Sequence, residues 1–333
     1  MNSLDPSNMY RMIEDYPLQF TKGLALATHI QLQHPVNQII LTGMGGSALA
    51  GDLVNISFPG LLRQPLIISR NYHIPYQLDS ATLVIANSFS GNTEETIAAY
   101  HQARATGAQV VVIASGGKLL ELALQDKTPV IKSIKESDNF QPRMSSGYIF
   151  AILVSLLVKS GHLPSSVETE LLALPVKLTT IDTRSSGQRL GEELSGTIPL
   201  IYSADDYWPV ARIAKIKLNE NSKVPAFWNY LPEMNHNELV GFSHTSDHYQ
   251  IVMLRDRDSD PRINRRMQVV ADILKSQPTP IPTIFHDMLG QDRLTKIFST
   301  LMVMDWASYY LALKLGVDPT PVQMVEDFKQ LMS

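Results

Sequence analysis

Two stretches of the chain have residue types and spacing suited to holding a phosphate. The first is Gly43-Met44-Gly45-Gly46-Ser47-Ala48, directly after the apolar run Gln38–Thr42. Glycines let the backbone approach a ligand closely. A helix starting there offers unpaired N–H groups and its positive dipole end to an anion. The second is Asn87-Ser88-Phe89-Ser90-Gly91-Asn92-Thr93-Glu94-Glu95-Thr96, after the apolar run Thr82–Ala86. Three hydroxyls, Ser88, Ser90 and Thr93, gather there around a glycine at a helix start, forming a neutral cage for one phosphate. Gly45, Gly46, Ser47, Ser88, Ser90 and Thr93 are therefore the expected binding residues.

Each stretch also has a second reading. The glycine turn fits the relaxed dinucleotide fingerprint G-x-G-x-x-G/A. A nucleotide reader needs an Asp or Glu about 20 residues further on. The next apolar run ends instead at Ser69-Arg70-Asn71, and only an Arg suited to a 2′-phosphate keeps NADP open. The hydroxyl turn can be read as a plain helix start, with Asn92 as N-cap and Glu95 in the capping-box position. Two such turns after neighbouring strands jointly favour phosphate.

The elements that must position these turns are legible in the hydrophobic pattern. Gln38–Thr42, Leu66–Ser69, Thr82–Ala86 and Val110–Ala114 are apolar, β-branched runs of strand length. Their continuity suits parallel strands buried on both faces. Helices are expected at Ser47–Asn55, Glu94–Thr106 and Leu119–Gln125, with a longer one near Met144–Lys159. Strand alternating with helix predicts a doubly wound α/β architecture. Turn formers collect in SGHLPSS at 160–166 and mark a boundary, giving domains 1–162, with the phosphate loops, and 163–333. The second half repeats the theme, with strands at Ile198–Ser203, Tyr249–Leu254 and Pro282–His286. Its helices are expected at Tyr207–Leu218, Ile263–Lys275, Arg293–Leu315 and Val322–Leu331. The expected fold class is α/β, with two parallel sheets, each flanked by helices.

At roughly 150 residues per domain, 333 residues agree with two domains. A chain 44% hydrophobic and 18% charged is not a disordered one. The net charge of 28 − 32 = −4 leaves no cationic excess for a polyanion, so no nucleic-acid partner is expected. The longest apolar runs, Ile149–Val158 and Ile198–Tyr202, fall short of the ~20 residues of a bilayer span. Cysteine is absent, which excludes disulfides and cysteine nucleophiles, and no H-x-H or HExxH spacing occurs. No metal and no cofactor are expected. The opening MNSLDPSNMYRMIEDYP reads as a capped short helix and not a signal peptide, so the expected compartment is the cytoplasm.

GMGGSALAGD (43–52) with SFSGNTEET (88–96) resembles the sugar isomerase (SIS) domain. With NENSKVPAFWNYLPEMNHNELVGF (219–242) and GVDPTPV (316–322), most of the chain resembles the bifunctional phosphoglucose/phosphomannose isomerase family. The resemblance implies two SIS-type, flavodoxin-like domains and a homodimer with shared active sites. It also implies hexose 6-phosphate substrates, with glucose and mannose 6-phosphates both converted to fructose 6-phosphate. Such an isomerisation needs a base with one mobile proton, an oxyanion stabiliser and a group that opens the sugar ring.

The family pattern makes Glu220 the carboxylate that shuttles the proton between C2 and C1; read alone, it is a solvated helix-end glutamate. His236, sixteen residues on, passes protons to and from the ring oxygen, reaching in from the partner subunit. Arg143 stabilises the enediolate as a fixed guanidinium. Lys329, on the C-terminal helix, assists ring opening, and Thr320 lines the same pocket. His29, His34, His244 and His286 have no expected role. Phe227, Trp228 and Tyr230 are expected to pack a loop joining Glu220 to His236, and Arg262–Arg266 to form the polar face of a helix. Two other functions stay open, a regulator that binds a sugar phosphate without turnover and an NADP-dependent oxidoreductase.

Overall fold

The computed structural model describes residues 3–27, 29–32, 35–244 and 248–332; His34 lies outside them. The chain forms two compact units, Asp15–Val176 and residues 3–14 with 177–332. The first helix, α1 (Met9–Glu14), belongs to the C-terminal unit. Its cap, Asp5, accepts the Met9 N–H at 2.7 Å and the Tyr309 hydroxyl at 3.2 Å. The Tyr10 ring lies edge-on to Trp306 at 5.0 Å.

The N-terminal unit runs α2 (Leu18–Leu26), β1 (Gln38–Thr42), α3 (Gly46–Ser57), β2 (Leu66–Ser69), β3 (Thr82–Ser88) and α4 (Glu94–Ala105). It continues through β4 (Gln109–Ala114), α5 (Gly117–Gln125), β5 (Val130–Lys132), α6 (Ser146–Lys159) and α7 (Ser166–Thr179), the last turn of which passes into the other unit. The sheet is parallel throughout, in the order β2-β1-β3-β4-β5. All seven residues of β3 are buried, as expected for a central strand covered on both faces. On one face Ile40, Val84 and Val112 pack with Tyr100 of α4 and Leu119 of α5. Helix α6, apolar all round, is buried except at its C-terminal end and packs with α2 and α3.

The C-terminal unit contains α8 (Thr183–Glu193), β6 (Ile198–Ala204), α9 (Trp208–Lys217), β7 (Phe227–Leu231), α10 (Glu238–Gly241) and β8 (Tyr249–Arg255). It ends with α11 (Pro261–Lys275), β9 (Thr283–Asp287), α12 (Arg293–Lys314) and α13 (Gln323–Met332). Its parallel sheet has the order β7-β6-β8-β9. The polar sequence of α8 conceals one buried face, Thr183, Gly187, Leu190 and Gly191. A Cβ on Gly187 would collide with Trp306 of α12, and one on Gly191 would lie 2.5 Å from the Ala307 carbonyl. These two glycines, four apart on one face, let the helices meet backbone to backbone.

Two expectations differ from the structure. Phe227, Trp228 and Tyr230 form edge strand β7 and not a loop. Prolines 225 and 232 bracket the segment and disguise it, and an edge strand tolerates them. The units divide after Val176, fourteen residues beyond the expected 162/163 boundary. The SGHLPSS turn ends α6 without leaving the N-terminal unit. Gly161 (φ +74°) and His162 donate to the carbonyls of Val158 and Leu157 at 3.0 and 2.8 Å, a Schellman closure. His162 and Leu163 are then buried, and the His162 carbonyl accepts the Arg63 N–H.

Candidate active site

In the N-terminal unit the turns after β1, β3 and β4 converge at the carboxyl edge of the sheet, where open α/β sheets hold ligands. The glycine turn leaves β1 at Thr42, passes through Gly45 at φ +49° and becomes α3 at Gly46. A Cβ on Gly46 would lie 2.7–2.9 Å from backbone atoms of Pro142 and Arg143. Only glycine therefore lets the short 3-10 turn Pro142–Met144 rest on the start of α3. That turn carries Arg143, 1% exposed, with Nη1 3.5 Å from Gln141 Oε1.

The glycine turn is clamped to the hydroxyl turn. Ser47 Oγ accepts the Phe89 N–H at 3.1 Å, and Asn87 Nδ2 donates to the Ser47 carbonyl at 2.6 Å. The wholly buried Ser88 hydroxyl lies 2.8 Å from that of Thr93 and accepts the Gly91 N–H at 3.1 Å. Ser90 is exposed, and its Oγ accepts the Asn92 N–H at 3.2 Å. At Gly91 (φ +73°) a Cβ would overlap the Gly116 carbonyl, so the turn after β4 closes against it.

Asn92 does not cap α4. Its Oδ1 accepts the Lys118 N–H of α5 at 3.0 Å, and Thr93 is the N-cap residue, without a side-chain bond to the helix. Helices α3, α4 and α5 all begin without a side-chain cap. Their first-turn N–H groups therefore have no carboxylate cap, although Glu94 and Glu95 lie in the first turn of α4. Arg70 is engaged elsewhere. It pairs at 2.5 Å with Asp52 of α3, itself 3% exposed, so the cation that kept an NADP reading open is used within the protein.

In the C-terminal unit, Glu220 sits half-buried in a single π turn, Leu218–Ser222, that continues α9. Such turns are rare and recur at functional sites. Asn221 Nδ2 donates to Ser308 Oγ at 2.9 Å and Ser222 Oγ to the Ser308 carbonyl at 2.7 Å. Beneath them Lys217 and Asp305, each 1% exposed, pair at 2.6 Å. Lys223 Nζ donates to the carbonyls of Glu220 at 2.6 Å, Asn221 at 3.3 Å and Pro319 at 3.3 Å. The structure thus joins the Glu220 turn to the Asp318-Pro319-Thr320-Pro321 turn, where Thr320 is buried. Lys217, Lys223 and Ser308 support this turn and were not singled out in the sequence; Lys223 lies inside the NENSK motif, while nothing local marks the other two.

His236 ends the 3-10 turn Glu233–His236 after β7 and is exposed. Glu220 precedes β7 and His236 follows it. A five-residue strand spans about 16 Å at ~3.3 Å per residue, which sets them at opposite edges of the sheet. Lys329 is exposed on α13, which buries none of its residues, and its ammonium pairs with Glu326 at 2.7 Å. Those contacts do not bring it to the Glu220 turn. Burial pushes the His286 imidazole down to about 4, so it is neutral near pH 7, as a residue without a chemical role can be. No helix among the described residues is long and apolar enough to cross a membrane.

Two parallel-sheet units, one with a cluster of hydroxyl-bearing turns at its carboxyl edge, define an α/β protein of the double-SIS kind. Residues 34–151 match the SIS domain, and residues 183–332 match the bacterial phospho-glucose isomerase C-terminal SIS domain. The fold is shared with the C-terminal domain of glucosamine-fructose-6-phosphate aminotransferase from Francisella tularensis. That match has a TM-score of 0.71 over 94% of this chain and 97% of that one, at 14% identity. The chain is 34% identical to the bifunctional phosphoglucose/phosphomannose isomerase of Caldicellulosiruptor bescii, over 98% of this chain and 99% of that one. It is 30% identical to the Thermoplasma acidophilum protein of the same name, over 89% and 90%. The chain belongs to the bifunctional phosphoglucose/phosphomannose isomerase family.

Proposed function

We propose that the protein converts both glucose 6-phosphate and mannose 6-phosphate reversibly to fructose 6-phosphate through an enediolate, in the cytoplasm. The observation that carries this is the neutral cradle of Ser47, Ser88, Ser90 and Thr93, with the buried Arg143 backed onto the start of α3. Hydroxyls and uncapped helix starts suit a phosphomonoester, and family membership supports the chemistry at its other end.

In this reading the Glu220 carboxylate takes the C2 proton of the open-chain aldose. The C–H electron pair forms the C1–C2 double bond, and the charge on O1 rests against the Arg143 guanidinium. The same carboxyl returns the proton to C1 as the C2 carbonyl forms, while the O2 proton passes to O1. Glucose and mannose differ only at C2, so one carboxylate acting on either face of a rotated open chain serves both. His236 moves a proton between the ring oxygen and O1 during ring opening, and Lys329 assists. No metal or cofactor enters, because the guanidinium supplies the positive charge.

The site is completed by a second copy of the chain in a homodimer. Two features support this: Glu220 and His236 lie at opposite edges of one sheet, and α13 leaves Met324, Phe328 and Leu331 uncovered along one face. The test begins with Glu220→Gln, expected to lower kcat by orders of magnitude with phosphosugar binding kept; unchanged turnover overturns the mechanism. Co-expressed Glu220→Gln and His236→Ala chains then recover about a quarter of wild-type activity, since half of randomly paired dimers hold one intact site. A site within one copy recovers none. The wild-type assay is indifferent to a chelator; loss restored by zinc counts against the metal-free route.

A further inference from the structure

Two residues after His236, the carboxylate of Glu238 is tied to two strands at once. Tyr202 of β6 donates its hydroxyl to Oε1 at 2.5 Å, and Asn229 of β7 donates Nδ2 to Oε2. Tyr202 and Asn229 are register partners in the parallel β6–β7 pair, so their side chains stand on one face of the sheet. Tyr202 is wholly buried. Burial first, and the bond to Glu238 second, push its hydroxyl far above the ordinary tyrosine range, so it donates at any working pH.

The rest of the His236 turn is bonded on every side. Asn237 Oδ1 accepts the Glu238 N–H at 2.6 Å, and Asn237 Nδ2 donates to Glu233 Oε1 at 2.6 Å. Arg266 of α11 reaches Asn235 Oδ1 at 3.4 Å, and Met234 is fully buried. The imidazole, by contrast, is exposed. The turn is thus tied down by its neighbours' side chains, while the imidazole itself stays exposed.

We infer that Glu238 is the positioning residue for His236, its carboxylate fixing the turn on the β6–β7 pair through Tyr202 and Asn229. Glutamine weakens this tie: its amide nitrogen can only donate to the Tyr202 hydroxyl, which must then accept, and both charge-assisted bonds to the carboxylate are lost. The inference rests on His236 being the ring-opening group. A misplaced proton-transfer group lowers turnover without loosening the phosphate, since small displacements of reacting groups cost up to about a hundredfold.

The experiment is a double-mutant cycle on kcat and KM for a hexose 6-phosphate, using Glu238→Gln, His236→Ala and the double variant. Expected are a kcat between roughly ten- and a hundredfold lower for Glu238→Gln, an unchanged KM, and no further loss when it is added to His236→Ala. A pH–kcat profile with the imidazole limb displaced in Glu238→Gln accompanies that result. An equal loss with or without His236 overturns the inference and leaves a merely structural role. So does an unchanged kcat in Glu238→Gln. If His236→Ala itself keeps full activity, it is the role of His236 that fails. Should Glu238→Gln not fold, Tyr202→Phe removes one of the two donors and is judged by the same cycle.

Discussion

The two units carry sheets of the same parallel type but differ in how most of their helix starts are capped. In the N-terminal unit α3 and α5 start at Gly45 and Gly116, and α4 starts at Thr93, none with a side-chain cap. In the C-terminal unit Asp182, Asp260 and Asp292 cap α8, α11 and α12, each accepting a first-turn N–H. Its loops add Asp256 and Asp258, bridged by Lys296 at 2.7 and 2.5 Å, and Asp206, held by Arg293 at 3.0 Å. Burial pushes the Asp256 carboxyl up, but Lys296 and Tyr207 outweigh it and hold the group below its ordinary value, hence charged. An aspartate cap fills the place an anion would take and repels it. Three helix starts of the first sheet thus lack a side-chain cap, whereas three of the second are closed by aspartate and α9 there starts without one.

The comparison can be broken most sharply at the buried ion pair of the C-terminal unit. Lys217→Met strands Asp305 in the interior and is expected to cost about 3–5 kcal/mol. Denaturant titration reads this, and phosphate affinity of the folded fraction should stay as in the wild type. Loss of binding without loss of stability would place Lys217 at the ligand and undo the contrast.

A second test makes the N-terminal edge resemble the other. Thr93→Asp adds a carboxylate cap to α4, so phosphosugar affinity should fall about a hundredfold or more through like-charge repulsion. The helix should gain up to ~1 kcal/mol from the new cap. Calorimetric titration beside a melting curve must show these opposite signs; unchanged affinity refutes the assignment of the cradle.

The smallest effect is expected at Asp292. Burial raises its carboxyl, but the Thr295 N–H and hydroxyl and the Lys177 ammonium outweigh it and hold the pKa below 3.8. A depressed carboxylate stabilises the fold above 3.8 and loses that contribution as pH falls below it. Asp292→Ala should cost about 1 kcal/mol near neutrality. Its melting temperature should approach that of the wild type in acid, with phosphosugar binding unaffected at neutral pH.

How far the residues alone reveal such a site varies along the chain. The expected strands at 38–42 and 66–69 match the observed bounds, because a buried parallel strand is a continuous apolar run with turn residues at its end. Helix α8 and strand β7 stayed hidden for different reasons. Gly187 and Gly191 weaken helix propensity while creating the contact with α12, and prolines mask an aromatic strand that an edge accommodates. The hydroxyl cluster was readable as a cluster, but its competing role as a helix cap was removed only by the bond from Lys118 to Asn92. Glu220 and His236 were found through a long motif, and no local property of either distinguishes it from a solvated residue.

Residue order by itself determined the alternation of strands and helices, the two turns suited to phosphate and the family pattern. Each depends on neighbours within a few positions, where hydrophobic periodicity and glycine act. Only the tertiary structure decided which helix starts stay open, how Arg143 comes to lie against Gly46, and which edge of a sheet each candidate group occupies. Those facts arise from backbone packing and hydrogen bonds between residues tens of positions apart. The length of one strand, Phe227–Leu231, is what sets Glu220 and His236 apart.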